Sequence, residues 1–177
     1  MKAAIGLLFL VFVFIHPAFS QVGVSGERAE DDKSARKSVS GFGAHIFLVE
    51  EPKKFLDAWD KSETPHIETI STVKVRQQFG AFILFNGCHP SSLGFCDCEV
   101  DFDVYKPDGK LFVERKGLEL WKQTAPSKRQ MQLSVASLFL RMGRQDTAGQ
   151  YIVKATVRDK HADVEFEIET SFRLVAN

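Results

Sequence analysis

The sequence predicts an all-β fold, an immunoglobulin-like antiparallel β-sandwich with a short N-terminal helical or irregular cap. The first observation is the clean alternation of apolar and polar residues over positions 151–157, which is typical of a half-buried antiparallel strand. The second is a polar corner at residues 144–148, followed by Gly149 and then by Tyr151. In sandwiches of this type such a tyrosine packs under the corner, and its hydroxyl bonds to the backbone upstream, here near residues 143–146.

The corner departs from the antibody pattern in two places. Antibody-type corners carry an acidic residue four positions before the tyrosine, whereas this chain has Thr147 there and Asp146 one position earlier. The second cysteine of the intersheet disulfide would lie two positions after the tyrosine, where the chain has Val153. The sequence therefore predicts a sandwich without an intersheet disulfide.

Residues 1–20 have the features of a secretory signal peptide. Lys2 precedes an apolar run over residues 3–15, and the small residue Ala18 suits cleavage before Gln21. The run is too short for a membrane span, so we expect a chain that is not an integral membrane protein after cleavage. An uncleaved anchor is the alternative. These features predict an exported, periplasmic protein.

The length of 177 residues suits a single folded domain, which we place at residues 44–177. Residues 21–43 are polar, with scattered Gly, Ser and charged residues, so we expect a disordered leader there. The chain has 23 basic and 23 acidic residues; without Lys2 the balance is 22 against 23, or −1. Because so small a net charge does not attract nucleic acid or anionic lipid, we expect neither as a partner.

Residues 79–85 form a predicted central strand that is apolar on both faces. One face of such a sheet normally meets water, so the second face needs a cover. Residues 52–60 carry apolar side chains at helical spacing and are the cover that we favour, with a partner protein as the alternative. The candidate binding surface consists of four large apolar side chains, Phe82, Leu84, Trp59 and Trp121.

The other predicted strands span residues 45–49, 72–75, 95–105, 111–113, 117–121, 130–142 and 163–174, with a bulge near residues 136–137. The strand that contains Tyr151 and the strand at 163–174 form a hairpin, and the sequence also predicts the register of that hairpin. With a four-residue loop at 159–162, Lys154 faces Glu167 on the outer face. Val157 then faces Val164 on the inner face, so one register suits both faces.

Three cysteines, Cys88, Cys96 and Cys98, indicate a disulfide in an exported chain. Cys98 is in phase with the inward-facing Val100, whereas Cys96 lies at the mouth of the strand, within reach of the loop that carries Cys88. We predict a bridge between Cys88 and Cys96, with Cys98 as a buried thiol. A bridge between Cys88 and Cys98, or a zinc site that includes His89, is the alternative.

Acidic residues alternate along two strands, at positions 101 and 103 and again over residues 163–169. Paired carboxylates can catalyse proton transfer or bind calcium, but each row lies on the solvent side of its strand. Ion pairs across the strands, with Lys154 and Arg158, explain the pattern better. The sequence contains no nucleophile elbow, zinc-binding helix motif, phosphate loop or dinucleotide fingerprint. We therefore expect no catalytic residue, no cofactor and no bound metal.

The chain resembles a family of uncharacterised, exported immunoglobulin-like proteins of Gram-negative bacteria. The resemblance covers residues 44–174 and depends on short motifs: Phe55-x3-Trp59, Gly87-Cys88-x7-Cys96, Pro107-Asp108-Gly109, Gly117-Leu118-Glu119-Leu120-Trp121, and Gly149-Gln150-Tyr151 running on to Arg158-Asp159. It implies a periplasmic sandwich with a C-x7-C bridge. The family has no assigned activity, so it implies no functional residues, and Cys98 departs from its pattern.

Two functions of different classes are consistent with these observations. The first is a non-enzymatic periplasmic interaction domain that recognises a protein or an envelope component through a sheet edge or an apolar patch. The second is an envelope enzyme or metal-binding protein whose site is assembled from His and acidic residues. A shallow apolar surface without convergent titratable groups would favour the first.

Overall fold

The computed structural model describes residues 33–61 and 65–176. The predicted signal peptide, and the part of the predicted leader before residue 33, lie outside the described residues. After one turn of 3-10 helix at Lys33–Ala35, the elements are β1 (Arg36–Val39), β2 (Phe42–Val49), α1 (Pro52–Trp59), β3 (Thr72–Lys74), β4 (Gln78–Asn86), β5 (Cys98–Tyr105), β6 (Leu111–Trp121), β7 (Gln132–Leu133), β8 (Leu138–Arg141), β9 (Gly149–Asp159) and β10 (Val164–Val175). Within the described residues, no helix is long and apolar enough to cross a membrane.

The strands form two five-stranded sheets, which confirms the all-β prediction. Sheet A has the order β1-β2-β4, and both β7 and β8 pair with β4. Sheet B has the order β3-β10-β9-β5-β6. The strand pairs are antiparallel except for β3, which runs parallel to β10. A β3 strand of only three residues therefore closes one edge of sheet B.

The core lies between the sheets and is rich in phenylalanine. The Phe79 ring of sheet A lies 4.8 Å from the Phe172 ring of sheet B, centroid to centroid. Tyr151 is fully buried and stacks on Phe172 at 5.0 Å. Its hydroxyl donates a 3.0 Å hydrogen bond to the carbonyl of Thr147. This confirms the predicted bond to the upstream backbone, with the acceptor one residue later than the predicted 143–146.

The folded chain begins earlier than the predicted boundary at residue 44. Strand β1 and the start of β2 occupy positions that the sequence assigned to a disordered leader. Ser40 and Gly41 both have positive φ, 50° and 85°, and join the two strands in a tight hairpin. Phe42 is fully buried and packs 5.6 Å from the Phe166 ring. The prediction was wrong for residues 33–43 because one large apolar side chain and a tight turn order a segment that is polar on average.

Helix α1 covers the outer face of sheet A, as predicted. Pro52, whose fixed φ suits a first turn, begins the helix. Phe55 reaches down to 4.7 Å from the ring of Phe82, which is fully buried. The two belong to a second apolar cluster, separate from the core between the sheets, whose buried members are Phe47, Val49, Phe55, Phe82, Leu84 and Leu133.

Two strand predictions were wrong in detail. The predicted strand at 130–142 is divided into β7 and β8. Between them the chain leaves sheet A for the edge of β6, where Val135 N donates to Leu120 O at 3.0 Å. Conversely, the two predicted strands at 111–113 and 117–121 form one strand, β6, which continues through residues 114–116. The pairing of β6 with β5 is irregular near Gly117, whose φ of 63° accommodates the irregularity.

The register of the last hairpin differs from the prediction by two residues. Lys154 faces Glu169 instead of Glu167, and Val157 faces Phe166. The loop has four residues as predicted but spans 160–163, because Asp159 remains in strand β9. An even shift leaves each side chain on its predicted face.

Candidate functional site

The disulfide joins Cys88 to Cys96, with 6.1 Å between their Cα atoms, as the sequence predicted. It closes residues 88–96, the segment between β4 and β5 that we call the disulfide loop. Cys98 is free and fully buried at the start of β5. Burial raises the pKa of its thiol to about 12, and the nearby carboxylates of Asp159 and Asp97 act in the same direction. The thiol therefore stays protonated and unreactive at neutral pH.

Backbone hydrogen bonds hold the disulfide loop from inside and from its neighbour. Inside the loop, Ser91 N donates to Phe95 O at 2.8 Å, and Gly94 N donates to Ser91 O at 2.9 Å. From the segment after β6, Ala125 N donates to Gly94 O at 2.9 Å. In the other direction, Cys96 N donates to the carbonyl of residue 123 at 3.0 Å. The loop is therefore braced along both of its arms.

The buried carboxylate of Asp159 joins the disulfide loop to the turn between β9 and β10. Its Oδ2 accepts a 2.7 Å hydrogen bond from His89 N, and His89 Nδ1 lies 3.0 Å from the same oxygen. Its Oδ1 accepts from His161 N at 3.1 Å and from Ala162 N at 3.3 Å. Because a fully buried carboxylate needs such donors, Asp159 fixes both loops at this end of the molecule.

His89 and Asp159 are the His–acid pair that the enzyme hypothesis requires, and the structure does bring them together. Within residues 33–61 and 65–176, however, no hydroxyl or thiol hydrogen-bonds to His89. The same residues contain no group of three or more His, Cys, Asp or Glu side chains placed to hold a metal ion. The described contacts of the pair connect loops, and the pair acts there as a brace.

Two large apolar side chains protrude from this braced end. Leu93, at the tip of the disulfide loop, is 82% exposed. Phe95 is 49% exposed and forms a bridge to Thr124. Sequence reasoning missed both residues. The signal was the Leu93-Gly94-Phe95 triplet, apolar side chains in a loop bounded by Ser91 on one side and a bridged cysteine on the other.

The four side chains of the predicted binding surface do not meet in one place. Phe82, Leu84 and Trp59 belong to the apolar cluster beneath and around α1, and the first two are buried. Trp121 instead packs against the main core, 5.6 Å from the Phe85 ring. Its indole Nε1 donates to the carbonyl of Thr124 at 3.0 Å, which ties it to the segment that supports the disulfide loop.

The acidic rows lie on the outer face of sheet B and pair with bases across the strands. Lys154 Nζ lies 2.7 Å from Glu167 Oε1 and 3.4 Å from Glu169 Oε2. Arg158 Nη2 lies 2.9 Å from Asp101 Oδ2, and its Nε contacts Glu165. Ion pairing across strands thus accounts for these carboxylates, as the sequence indicated. The first residue of the predicted row, Asp163, lies instead in the β9–β10 turn with a φ of 51°.

No protein-family model matches the sequence, and no curated protein matches it. Among solved structures, the chain is similar to a family 123 glycoside hydrolase from Clostridium perfringens, with a TM-score of 0.42 and 12% identity over 77% of this chain and 27% of that chain. It is also similar to the Pseudomonas fluorescens alkylpurine DNA glycosylase AlkC, with a TM-score of 0.36 and 14% identity over 59% of this chain and 27% of that chain. The chain spans about a quarter of the length of either protein.

Proposed function

We propose that this chain is a non-enzymatic interaction domain of the periplasm that recognises a protein partner through the disulfide loop. The observation that carries the proposal is Leu93, a large apolar side chain that is 82% exposed at the tip of a covalently closed loop. Phe95 lies two residues away in the same loop, and the partly buried Trp121 bonds to Thr124, the residue that bridges to Phe95. Aromatic and aliphatic anchors of this kind carry most of the binding energy in protein interfaces.

The bracing supports the proposal because it lowers the cost of binding. A flexible loop must lose conformational freedom when it docks, and that loss subtracts from the affinity. The disulfide, the backbone bonds from Ala125 and Cys96, and the Asp159 carboxylate hold the disulfide loop before any partner arrives. A rigid loop that presents an apolar tip is suited to fill a pocket on another protein.

The immunoglobulin-like assignment belongs to the same proposal. The hydrogen bond from Tyr151 to Thr147 supports it, and so does the order of sheet B, in which consecutive β9 and β10 lie between β5 and the short parallel β3. In such sandwiches the loops at one end are a common site of recognition. The resemblance to exported proteins of Gram-negative bacteria, the signal-like residues 1–20 and the presence of a disulfide support a periplasmic location.

The test is a comparison of matched baits in a periplasmic extract. The mature domain is immobilised as the parent protein, as Leu93→Ser and as Leu111→Ser, and bound proteins are quantified by mass spectrometry. Leu111 is 48% exposed and pairs with Tyr105, at the opposite end of β5 from Cys98. We expect at least one protein that binds the parent and Leu111→Ser baits equally and binds Leu93→Ser at least about tenfold less, the size of a hot-spot loss.

A fourth bait, Phe95→Ser, which changes the other exposed apolar residue of the disulfide loop, should capture less of the same protein than the parent bait does. All baits are checked by thermal unfolding, where exposed substitutions should change stability little. If every captured protein binds the Leu93→Ser bait as well as the parent, the disulfide loop is not the recognition site and the proposal is wrong.

A further inference from the structure

Three arginines line a surface depression at the end of the sandwich opposite the disulfide loop. Arg76, Arg141 and Arg144 form its walls together with Met142, Gly143 and Gln145. The depression lies beside Gln78, the first residue of β4, which pairs with Arg141. The disulfide loop instead follows Asn86, the last residue of β4. The nine residues of that strand separate the two sites by about 27 Å. This depression is therefore independent of the proposed protein-binding loop.

The three guanidinium groups lack a counter-charge in the described part of the chain. No carboxylate there lies within ion-pair distance of any of them, in contrast to Lys154 and Arg158 on the outer face of sheet B. The nearest acidic residue in sequence, Asp146, uses its Oδ2 to accept a 2.6 Å hydrogen bond from Gly143 N. Like charges that line one depression without an anion between them repel one another, so an anionic ligand would stabilise the arrangement.

The backbone of Arg76 is held in a conformation that arginine rarely adopts. It is the third residue of the turn between β3 and β4, and its φ is 71°, a place where glycine is the usual residue. Its amide donates to Met142 O at 2.8 Å, and its carbonyl accepts from Arg141 Nε at 3.1 Å. Strained residues that their neighbours hold in place are concentrated at functional sites.

The bond to Arg76 also prepares the side chain of Arg141. Because Nε is engaged, the guanidinium is anchored at its inner edge, and its two terminal nitrogens have no partner among the described residues. A planar fork of two N–H donors matches two oxygens of an oxyanion. Arg144, from the polar corner that the sequence singled out, adds a second exposed guanidinium to the same depression.

We propose that the Arg76–Arg141–Arg144 depression binds a phosphate group, either free or carried by the headgroup of an anionic phospholipid. The attraction is local to these three arginines, and the net charge of the chain, from which we expected no anionic lipid as a partner, does not reflect it. Three positive charges that line one depression favour a multiply charged, tetrahedral oxyanion over a single carboxylate. The ligand would bridge the β3–β4 turn and the β8–β9 corner, which meet here through the bond from Arg76 N to Met142 O.

In the first arm of the test, inorganic phosphate is added to the protein. Binding is measured by nuclear magnetic resonance, as the change in chemical shift of the arginine side-chain N–H groups. We expect Arg141→Gln and Arg144→Gln each to weaken binding by about tenfold, the loss of a charge-assisted hydrogen bond. The matched control is Arg129→Gln, which removes the same charge from an exposed position in the loop before β7. Equal loss in the control, or no saturable shift in the parent protein, would show nonspecific attraction and overturn the proposal.

The second arm identifies the source of the phosphate. The same four proteins are sedimented with phosphatidylcholine vesicles that either contain or lack phosphatidylglycerol. If the protein binds only vesicles that contain phosphatidylglycerol, and if Arg141→Gln and Arg144→Gln weaken that binding, the ligand is a lipid headgroup. Saturable phosphate binding without vesicle binding indicates a free phosphate ligand.

Arg76→Gly separates the binding role of Arg76 from any role in folding. Glycine adopts a φ of 71° without strain, so the melting temperature in phosphate-free buffer should stay the same or rise. Phosphate affinity should nevertheless fall by about tenfold, as in the other two variants. A variant that keeps the parent affinity would contradict the proposed site.

Discussion

The outer faces of the two sheets differ in chemistry although both sheets have five strands and share one core. On sheet A, Phe82 and Leu84 point outward into an apolar cluster that α1 closes. On sheet B, charged residues on the outward side of β5 and β9, such as Asp101, Lys154 and Arg158, pair across the strands. The outer face of sheet A is therefore part of the buried interior, and the outer face of sheet B is a solvated surface. Apolar side chains that face outward on a strand thus indicate a third layer as readily as a binding site.

The difference also bears on stability. Burial of a phenylalanine removes a large apolar area from water, at roughly 25 cal/mol per Å². An exposed ion pair contributes about 0–1 kcal/mol, because water already solvates both charges. The outer face of sheet A should therefore contribute much more to folding than the outer face of sheet B. Four substitutions test this ordering, each measured as the free energy of unfolding in urea.

Phe82→Ala should have the largest effect. Phe82 is fully buried between Phe55 at 4.7 Å and Phe47 at 6.1 Å, so its loss leaves a cavity beneath α1. We expect a cost of about 3–5 kcal/mol. The matched control is Thr156→Ala, in the middle of the outer face of sheet B, which should cost under about 1 kcal/mol. Similar costs for the two variants would mean that α1 does not seal its face.

Asp101→Ala should have the next largest effect, because its carboxylate is the most buried charge of the outer face of sheet B. Burial alone would raise the pKa of Asp101, but hydrogen bonds from Arg158 and from Gly117 N, with the charge of Lys116, lower it below its ordinary value of 3.8. Removal of the side chain leaves Gly117 N without its described acceptor and removes one of the two carboxylate partners of Arg158, at a cost of about 1–3 kcal/mol.

The control for Asp101 is Asp103→Ala, on the same face of the same strand. Asp103 is more exposed, and its one ion pair with a described residue is to Lys116, at 2.7 Å, so we expect a cost of at most about 1 kcal/mol. The contribution of Asp101 should be present above pH 3.8 and should be lost as the pH falls through its lowered folded-state pKa. Equal costs at pH 7 would mean that burial of the charge makes no difference on this face.

The pH dependence of stability at His45 tests whether the outer face of sheet A is closed to water. Its ring lies 5.8 Å from Phe47, and burial, together with the charge of Arg36, lowers its pKa from 6.5 to about 4. Between these values the unfolded chain binds a proton that the folded chain does not, so stability falls as the pH drops from 6.5 towards 4. His45→Gln should remove about 1–2 kcal/mol of the acid destabilisation between pH 7 and pH 4.5, after allowance for partial exposure.

The control for His45 is His161→Gln, in the exposed turn between β9 and β10. That variant should follow the parent protein across the same pH range. If His45→Gln also follows the parent, the ring is solvated and the outer face of sheet A is less closed than its contacts indicate.

Local patterns in the sequence were enough to predict several elements. Alternation predicted β9, helical spacing after Pro52 predicted α1 as a cover, and strand phase predicted which cysteine stays free. The register of the last hairpin was different. A shift of two residues leaves each side chain on the same face, so the apolar pattern could not distinguish the two registers. What decides between them is Asp159, whose carboxylate caps the following turn from a buried position within β9.

The candidate site was less accessible to sequence reasoning. The reach from Asp159 to His89 spans 70 residues of sequence and depends on the pairing of β5 with β9. The exposure of Leu93 depends on the disulfide and on the neighbouring segment at 121–126, which turn its side chain to solvent. Both features are tertiary, and no local period or propensity encodes them.

Glu167→Ala should have the smallest effect, because Lys154 has two acidic partners. The ammonium of Lys154 lies 2.7 Å from Glu167 and 3.4 Å from Glu169, which faces it directly across the strands. When Glu167 is removed, Lys154 can keep its pair with Glu169 by a small change of rotamer. We expect a change of about 0–1 kcal/mol. The double variant Glu167→Ala, Glu169→Ala should cost more than the sum of the single variants, since only it leaves the lysine without a partner on β10. Strict additivity would mean that the lysine does not exchange partners, and a single-variant cost near that of Phe82→Ala would reverse the ordering of the two faces.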